Sequence, residues 1–244
     1  MTVATVPAST RAGRLAPPGG QQTGGRRTAE VQLLVIAKQP IPGRVKTRLC
    51  PPATPRQAAA IAAAALADTL AAASAARAAH RTVVVDGVIA APAGWAAVLQ
   101  RTGTLSDRLT AAFADTACDG VTSLLIGMDT PQITSTDLDT ITAMLADETD
   151  LDAVLGPAAD GGWWCLALRT ARLADVLRSI PTSRPDTAVR TLAALRAVGG
   201  RVALGDTLRD VDTASDAWAV AAMCDPTSHF ARAVRDHLPH GGEA

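Results

Sequence analysis

The sequence predicts an α/β fold: a single domain with a mostly parallel central sheet and helices on both faces. Three observations point there. Short unbroken apolar runs, among them Leu33–Ala37, Val83–Val85 and Leu124–Ile126, suit strands buried on both sides and are too short for helices. Segments of helical length stand between these runs, so strands and helices alternate along the chain. Length and charge agree with one globular domain: 244 residues suffice for a substantial core, and 23 Lys and Arg balance 23 Asp and Glu. A chain without net positive charge is not expected to coat nucleic acid, so any cationic field must be local.

Taken in order, residues Met1 to about Ala29 are rich in Pro, Gly, Thr and Arg and have no hydrophobic period. They read as a disordered tail (residues 1–29) ahead of one domain over residues 30–240. The tail's arginines (Arg11, Arg14, Arg26, Arg27) are not followed by an apolar segment, so no signal peptide is expected. The first strand runs through Ala37. The chain then breaks on Pro40, Pro42 and Gly43 and delivers Arg44, Lys46 and Arg48 within five positions. Pro55 to Ala79 is an alanine-dominated helix with Pro55 in its first turn. Arg81–Asp86 is a second strand and Val98–Gln100 a short third. Leu105 to Ala117 is a helix whose Leu105, Leu109, Ala112 and Phe113 share a face.

Val121–Gly127 is a strong strand that ends at Met128-Asp129-Thr130-Pro131. Ser135 or Thr136 is expected to cap the next helix, which sets Leu138, Ile141, Met144 and Leu145 on one side. Leu151–Leu155 and Trp163–Leu168 are strands on either side of the stretch GPAADGG. Arg172–Leu177 and Thr187–Val198 read as helices and Arg201–Leu204 as a last short strand. Helices follow over roughly Ala214–Met223 and from Pro226. Four cysteines (Cys50, Cys118, Cys165, Cys224) lie far apart with no metal spacing, which fits reduced thiols in a cytoplasmic protein. No apolar run is expected to reach the length of a membrane span. A GxGxxG fingerprint and a P-loop are both missing, which disfavours a Rossmann dehydrogenase or a P-loop kinase.

Four stretches stand where chemistry is expected. The first is the cationic loop after the first strand, since ligands of open α/β sheets bind beyond the carboxyl ends of the strands. Its arginines offer planar forks and Lys46 a point charge, a set suited to phosphate; the plain alternative is a solvated surface loop. The second is RTGTLSDRL from Arg101, where Gly103 would let the backbone approach a flat ligand such as a base. The third is GMDTP, which puts Asp129 just past a buried strand, either to hold a divalent ion or to cap the turn before Thr130-Pro131. The fourth is RDVDT, with Asp210 and Asp212 on the same side of an extended backbone. Asp212 reads equally well as the N-cap of the helix from Ala214. A hard cation, Mg2+ or Mn2+, takes oxygen ligands and would bridge such carboxylates to phosphate oxygens. Trp163 and Trp164 follow Asp160-Gly161-Gly162; they are core aromatics by default, or one is a platform for a sugar or acceptor. His80, His229, His237 and His240 lie in no constellation, so no histidine receives a catalytic role.

In this order and spacing, AKQPIPGRVKTRL, GMDTP, GPAADGGWW and DVDTASD resemble the bacterial, glycosyltransferase-like family named rSAM/selenodomain-associated transferase 1. The resemblance covers about Val31 to Trp218 and implies the nucleotide-diphospho-sugar transferase (GT-A) fold. More distantly, the chain is similar to 2-phospholactate guanylyltransferase, whose nucleotide loop also ends in a Lys-x-Arg-Leu pattern. These resemblances imply nucleotide contacts at Lys46 and Arg48, and metal contacts at Asp129, Asp210 and Asp212. The wider nucleotide set is then Ala37, Lys38, Gly43 and Arg44 in the first loop with Gly103 and Asp107 in the second. The acceptor set is Asp160, Gly161, Gly162 and Trp163. Two departures touch acceptor and base: Leu105-Ser106-Asp107-Arg108 stands where relatives have Leu-Gly-Glu-Arg, and Trp163-Trp164 where they have two tyrosines.

The expected function is a metal- and nucleotide-dependent transfer to a small acceptor, with Lys46, Arg48 and Asp129 at the chemistry. Sugar transfer from a nucleotide-diphospho-sugar is the first expectation, favoured by the family, by DGGWW and by the missing Gly-rich triphosphate loop; metal and cations would steady the departing diphosphate. Nucleotidylyl transfer from a nucleoside triphosphate, releasing pyrophosphate, is favoured by the Lys-x-Arg-Leu loop. A non-catalytic nucleotide-binding regulator ranks last, because the carboxylate set is complete.

Overall fold

The computed structural model describes residues 30–239; the expected tail (1–29) and the last residue of the expected domain, His240, lie outside the described residues. Strand β1 (Val31–Lys38) is the central one, because its side chains serve two cores at once. Leu33 and Val35 point into one apolar cluster and Leu34 into another, on opposite faces of the sheet. That double burial is why the run is apolar without alternation.

The chain continues through α1 (Pro55–Ala75), β2 (His80–Asp86), β3 (Ala96–Leu99), α2 (Leu105–Asp115), β4 (Thr122–Ile126) and α3 (Ser135–Asp147). It then runs through β5 (Ala153–Pro157), β6 (Trp163–Leu168), α4 (Thr187–Ala197), β7 (Val202–Leu204), α5 (Ala214–Ala221) and α6 (His229–His237). The seven strands form one sheet in the order β3-β2-β1-β4-β6-β5-β7. Every pairing is parallel except those of β6, which runs antiparallel to both β4 and β5. The fold is thus the expected α/β one with a mostly parallel sheet. α1 and α3 cover one face, and α2, α4 and the 3-10 segment Ala171–Ser179 cover the other. A third cluster joins α1 to α5 and α6 through Ile61, Val220, Phe230 and Val234.

Several boundaries differ from the sequence expectation, each for a local reason. α1 stops at Ala75 rather than Ala79, and the Arg81 guanidinium donates to the carbonyls of Ala73, Ala76 and Ala78 at that end. α3 is capped by Thr134, not Ser135 or Thr136, in a capping box with Asp137. Residues 171–179 wind as 3-10 rather than α-helix. α6 begins at His229 with Ser228 as cap, three residues after Pro226. Asp68 on α1 adds a second cap to α6 by accepting from the amides of His229 (3.2 Å) and Phe230 (2.7 Å). α1 also corrects the expectation about apolar length: its 21 residues are long and apolar enough to cross a membrane by length and composition. In the fold one side of it, with Ala58, Ala62, Ala65, Ile61, Leu66 and Leu70, is instead buried against the sheet and α6.

Candidate functional site

The strand order reverses at β1: the chain moves outward to β2 and β3, then returns to place β4 on the other side of β1. At such a switch point the loops leaving the two strands part and open a crevice. Lys38 ends β1 on one side, and Gly127–Thr130 leave β4 on the other. Because β6 is antiparallel, the Asp160–Trp163 turn that enters it lies at the same end of the sheet. An isolated bridge from Ala158 to Leu208 brings residues 210–212 there too, and the Val211 amide donates to the Asp129 carbonyl at 2.9 Å. Four stretches far apart in sequence therefore share one cleft.

The cleft has two compartments. The larger, about 360 Å3, runs from Ala37, Asp86, Gln100 and Arg108 past Asp129 to Asp160, Gly162 and Trp163. The smaller, about 260 Å3, is lined by Lys38, Arg44, Lys46 and Arg48. Lys38, Met128, Asp129 and Asp212 border both.

At one end of the larger compartment, Arg108 donates to Asp86 at 2.9 Å, and its Nε donates to the Gly103 carbonyl at 3.2 Å. Gln100 is fixed by donating to the carbonyls of Ala37 (2.8 Å) and Val84 (3.1 Å). No motif in the sequence singles out Asp86, Gln100 and Arg108. The signal available was position: Asp86 ends a strand and Gln100 follows another, both on the carboxyl side of the sheet.

Of the predicted nucleotide contacts, Ala37, Lys38, Arg44, Lys46 and Arg48 line the cleft, whereas Gly43, Gly103 and Asp107 do not. Gly103 holds φ +126°, and a Cβ there would lie 2.9 Å from Asp107 Oδ2, so the helix cap requires this glycine. Asp107 accepts from the Thr104 amide (3.0 Å) and hydroxyl (2.7 Å) in the capping box of α2, which also holds its carboxyl below the usual range. Ser106, in place of the relatives' glycine, is buried and donates its hydroxyl to the Ile180 carbonyl.

On the acceptor side, Asp160, Gly162 and Trp163 face the cleft. Gly161 instead packs under Pro185, where a Cβ would lie 2.0 Å from the Pro185 carbonyl oxygen. Trp164 has the core role: it is buried against Gly156, and its indole donates to the Asp206 carbonyl at 2.9 Å.

The carboxylates divide unevenly. Lys46 donates to Asp129 at 2.7 Å and lies 3.5 Å from Asp212; Arg48 takes the other Asp212 oxygen at 3.0 Å. Asp212 is not the cap of α5, because Thr213 fills that place in a capping box with Asp216. Asp210 is partly buried, and its Oδ1 has no hydrogen-bond partner. Burial first, then the charges of Asp160 and Asp129, push its carboxyl up to about 7. The Thr130 hydroxyl, on the wall of the same compartment, is buried and likewise without a partner. Orphaned hard oxygens beside mutually repelling carboxylates fit a divalent cation at Asp129 and Asp210, with Asp160 near them. As the side chains stand, no three His, Cys, Asp or Glu among the described residues are grouped to hold an ion.

A family model described as an uncharacterized protein conserved in bacteria (DUF2064) matches residues 56–184. No curated protein matches the chain. Among solved structures, the fold is similar to that of a candidate nucleotide-diphospho-sugar transferase from Desulfovibrio desulfuricans. The TM-score is 0.75 at 23% identity, covering 85% of this chain and 95% of that one. CMP:2-keto-3-deoxy-manno-octonic acid synthetase complexed with CTP is similar at TM-score 0.53 and 13% identity, covering 80% and 98%. Rv0371c from Mycobacterium tuberculosis, in complex with manganese, is similar at TM-score 0.51 and 20% identity, covering 79% and 98%. The architecture is that of the nucleotide-diphospho-sugar transferases, a GT-A-like fold.

Proposed function

The chain belongs to the DUF2064 family, and on that premise we propose that it is a nucleotide-dependent transferase working by nucleotidylyl transfer. A nucleoside triphosphate and a small acceptor enter the cleft, and pyrophosphate leaves it. The observation that carries this reading is the second compartment, whose walls hold Lys38, Arg44, Lys46 and Arg48. A nucleotide with its base toward Asp86, Gln100 and Arg108 and its α-phosphate beside Asp129 runs its outer phosphates into that cationic space. Arginine forks and the Lys38 ammonium there meet the charge that grows on the departing pyrophosphate. The acceptor approaches from the Asp160–Trp163 wall; its oxygen bonds to the α-phosphorus as the bond to the bridging oxygen breaks. Asp129 and Asp210 are the residues to hold Mg2+ or Mn2+, which neutralises phosphate charge when bound.

Sugar transfer from a nucleotide-diphospho-sugar is the second reading, favoured by Trp163, a half-buried aromatic on the acceptor wall. Calorimetric titration with nucleoside triphosphates, nucleotide sugars and pyrophosphate separates the two. Nucleotidylyl transfer expects the triphosphate to bind more tightly than the nucleotide sugar, with pyrophosphate competing and Arg44→Ala weakening both. A nucleotide sugar that binds more tightly, with no competition from pyrophosphate, assigns the site to sugar transfer. Absence of binding by every nucleotide overturns both readings.

A further inference from the structure

Of the 23 Lys and Arg residues in the chain, only Lys38 and Lys46 are lysine, and both stand at the cleft. Lys46 is held in a way that a phosphate-binding lysine does not need. Its backbone is left-handed (φ 46°, ψ 40°), a region costly for a residue with a Cβ. That turn drives the side chain inward until 8% of it is exposed. The ammonium then meets three acceptors: Asp129 Oδ1 at 2.7 Å, the Val211 carbonyl, and Asp212 Oδ1 at 3.5 Å. An ammonium has three N–H donors and no acceptor; Asp129 and the Val211 carbonyl take two of them, and Asp212 adds an ion pair at longer range. A guanidinium has neither the compactness nor the tetrahedral donors for this place, which gives a reason for lysine in an arginine-rich chain.

Two carboxylate oxygens and a carbonyl oxygen are also the donor set of a hard divalent ion. We propose that Lys46 is the tethered cation of the Asp129–Asp212 pair and keeps a divalent ion out of the nucleotide-free protein. The inference rests on reading Asp129 and Asp210 as the metal-holding pair. While Lys46 occupies one oxygen of Asp129 and shares Asp212 with Arg48, too few oxygens are left to hold an ion by themselves. A nucleotide brings phosphate oxygens that complete the shell, so the ion enters with the nucleotide.

Mn2+ alone, titrated by electron paramagnetic resonance without nucleotide, tests this with a readout independent of activity. Wild type is expected to bind weakly, and Lys46→Met, of similar length and uncharged, at least about tenfold more tightly, since one positive charge leaves and oxygens of Asp129 and Asp212 are freed. Equal affinity in the two proteins, or no binding by either, overturns the proposal. A second measurement needs no variant. With only two lysines, isotope-labelled ammonium groups give at most two signals, and the buried Lys46 is the slowly exchanging one. Millimolar Mg2+ alone is expected to leave that signal in place; its loss or displacement overturns the proposal. Nucleotide titrations decide the transferase reading separately, so the two fail independently.

Discussion

Asp129 and Asp210 share one cleft, yet neutralising each moves stability in opposite directions. Asp129 is the 2.7 Å partner of a buried ammonium, so Asp129→Asn leaves Lys46 with one carboxylate and a carbonyl. Half-exposure of Asp129 limits the loss to about 1–2 kcal/mol, below that of a fully buried pair. Asp210 has the reverse problem: burial and neighbouring carboxylates raise its pKa from 3.8 to about 7. Between those values the folded state keeps a proton that the unfolded chain has lost, so its contribution to stability falls as pH rises through the window. Above pH 7 the whole penalty is present, about 4 kcal/mol at most for a shift of this size. Thermal melts of Asp210→Asn against wild type are therefore expected to coincide near pH 4 and separate by several degrees, the variant higher, at pH 8. A difference that stays flat with pH removes the penalty. At this scale the sequence was legible where a residue type stood alone at a strand end, as Asp129 does, and the structure puts it at the cleft. It was not legible for the partnership of Lys46 with Asp129 and Asp212, since nothing local foretells contacts across 83 and 166 positions of chain.

Helix starts show where reading residues singly misleads. Four helices open on a threonine whose hydroxyl accepts from the third helical amide while that residue's side chain reaches back: Thr54/Gln57, Thr104/Asp107, Thr134/Asp137 and Thr213/Asp216. The pattern was in the sequence, and applying it would have assigned Asp107 to the cap of α2 and withdrawn Asp212 from the cap of α5. The consequence for the site is testable at neighbouring positions. Thr104→Ala removes a cap and is expected to cost about 1 kcal/mol in chemical denaturation with nucleotide affinity unchanged. Arg108→Ala, one turn on, keeps the cap and loses the guanidinium that faces the cleft beside Asp86. Nucleotide affinity is expected to fall at least about tenfold there. If Thr104→Ala weakens nucleotide binding as much as Arg108→Ala does, the loop before α2 belongs to the site after all.

Over the whole molecule, the alternation of strands and helices announced the α/β class, but not the strand order, nor that β6 would run backwards between β4 and β5. Both depend on pairings of distant segments, and both shape the candidate site: the reversal at β1 opens the cleft, and the antiparallel β6 carries Asp160 and Trp163 to it. The same pairings define how short the chain can be made. All residues lining the two compartments fall between Ile36 and Asp212, and we propose residues 30–240 as the functional domain. A chain beginning at Glu30 keeps the Glu30 carbonyl that accepts from Thr122 and the Val31 carbonyl that accepts from Ala79, each at 2.8 Å. It also keeps Gln32, buried and donating to Ser123 at 2.7 Å between β1 and β4. Its melting temperature is expected within about 2 °C of the full chain, with nucleotide affinity unchanged. A chain beginning at Leu33 lacks all three and leaves the Thr122 and Ala79 amides and the Ser123 hydroxyl without those partners. It is expected to melt far lower, since Thr122 and Ser123 are buried and each unsatisfied buried group costs about 1–3 kcal/mol. Differential scanning calorimetry of the two truncations against the full chain makes the comparison. A large loss already at Glu30 shows that residues 1–29 help hold the domain, and equal melts for both truncations show that the first turn of β1 does not.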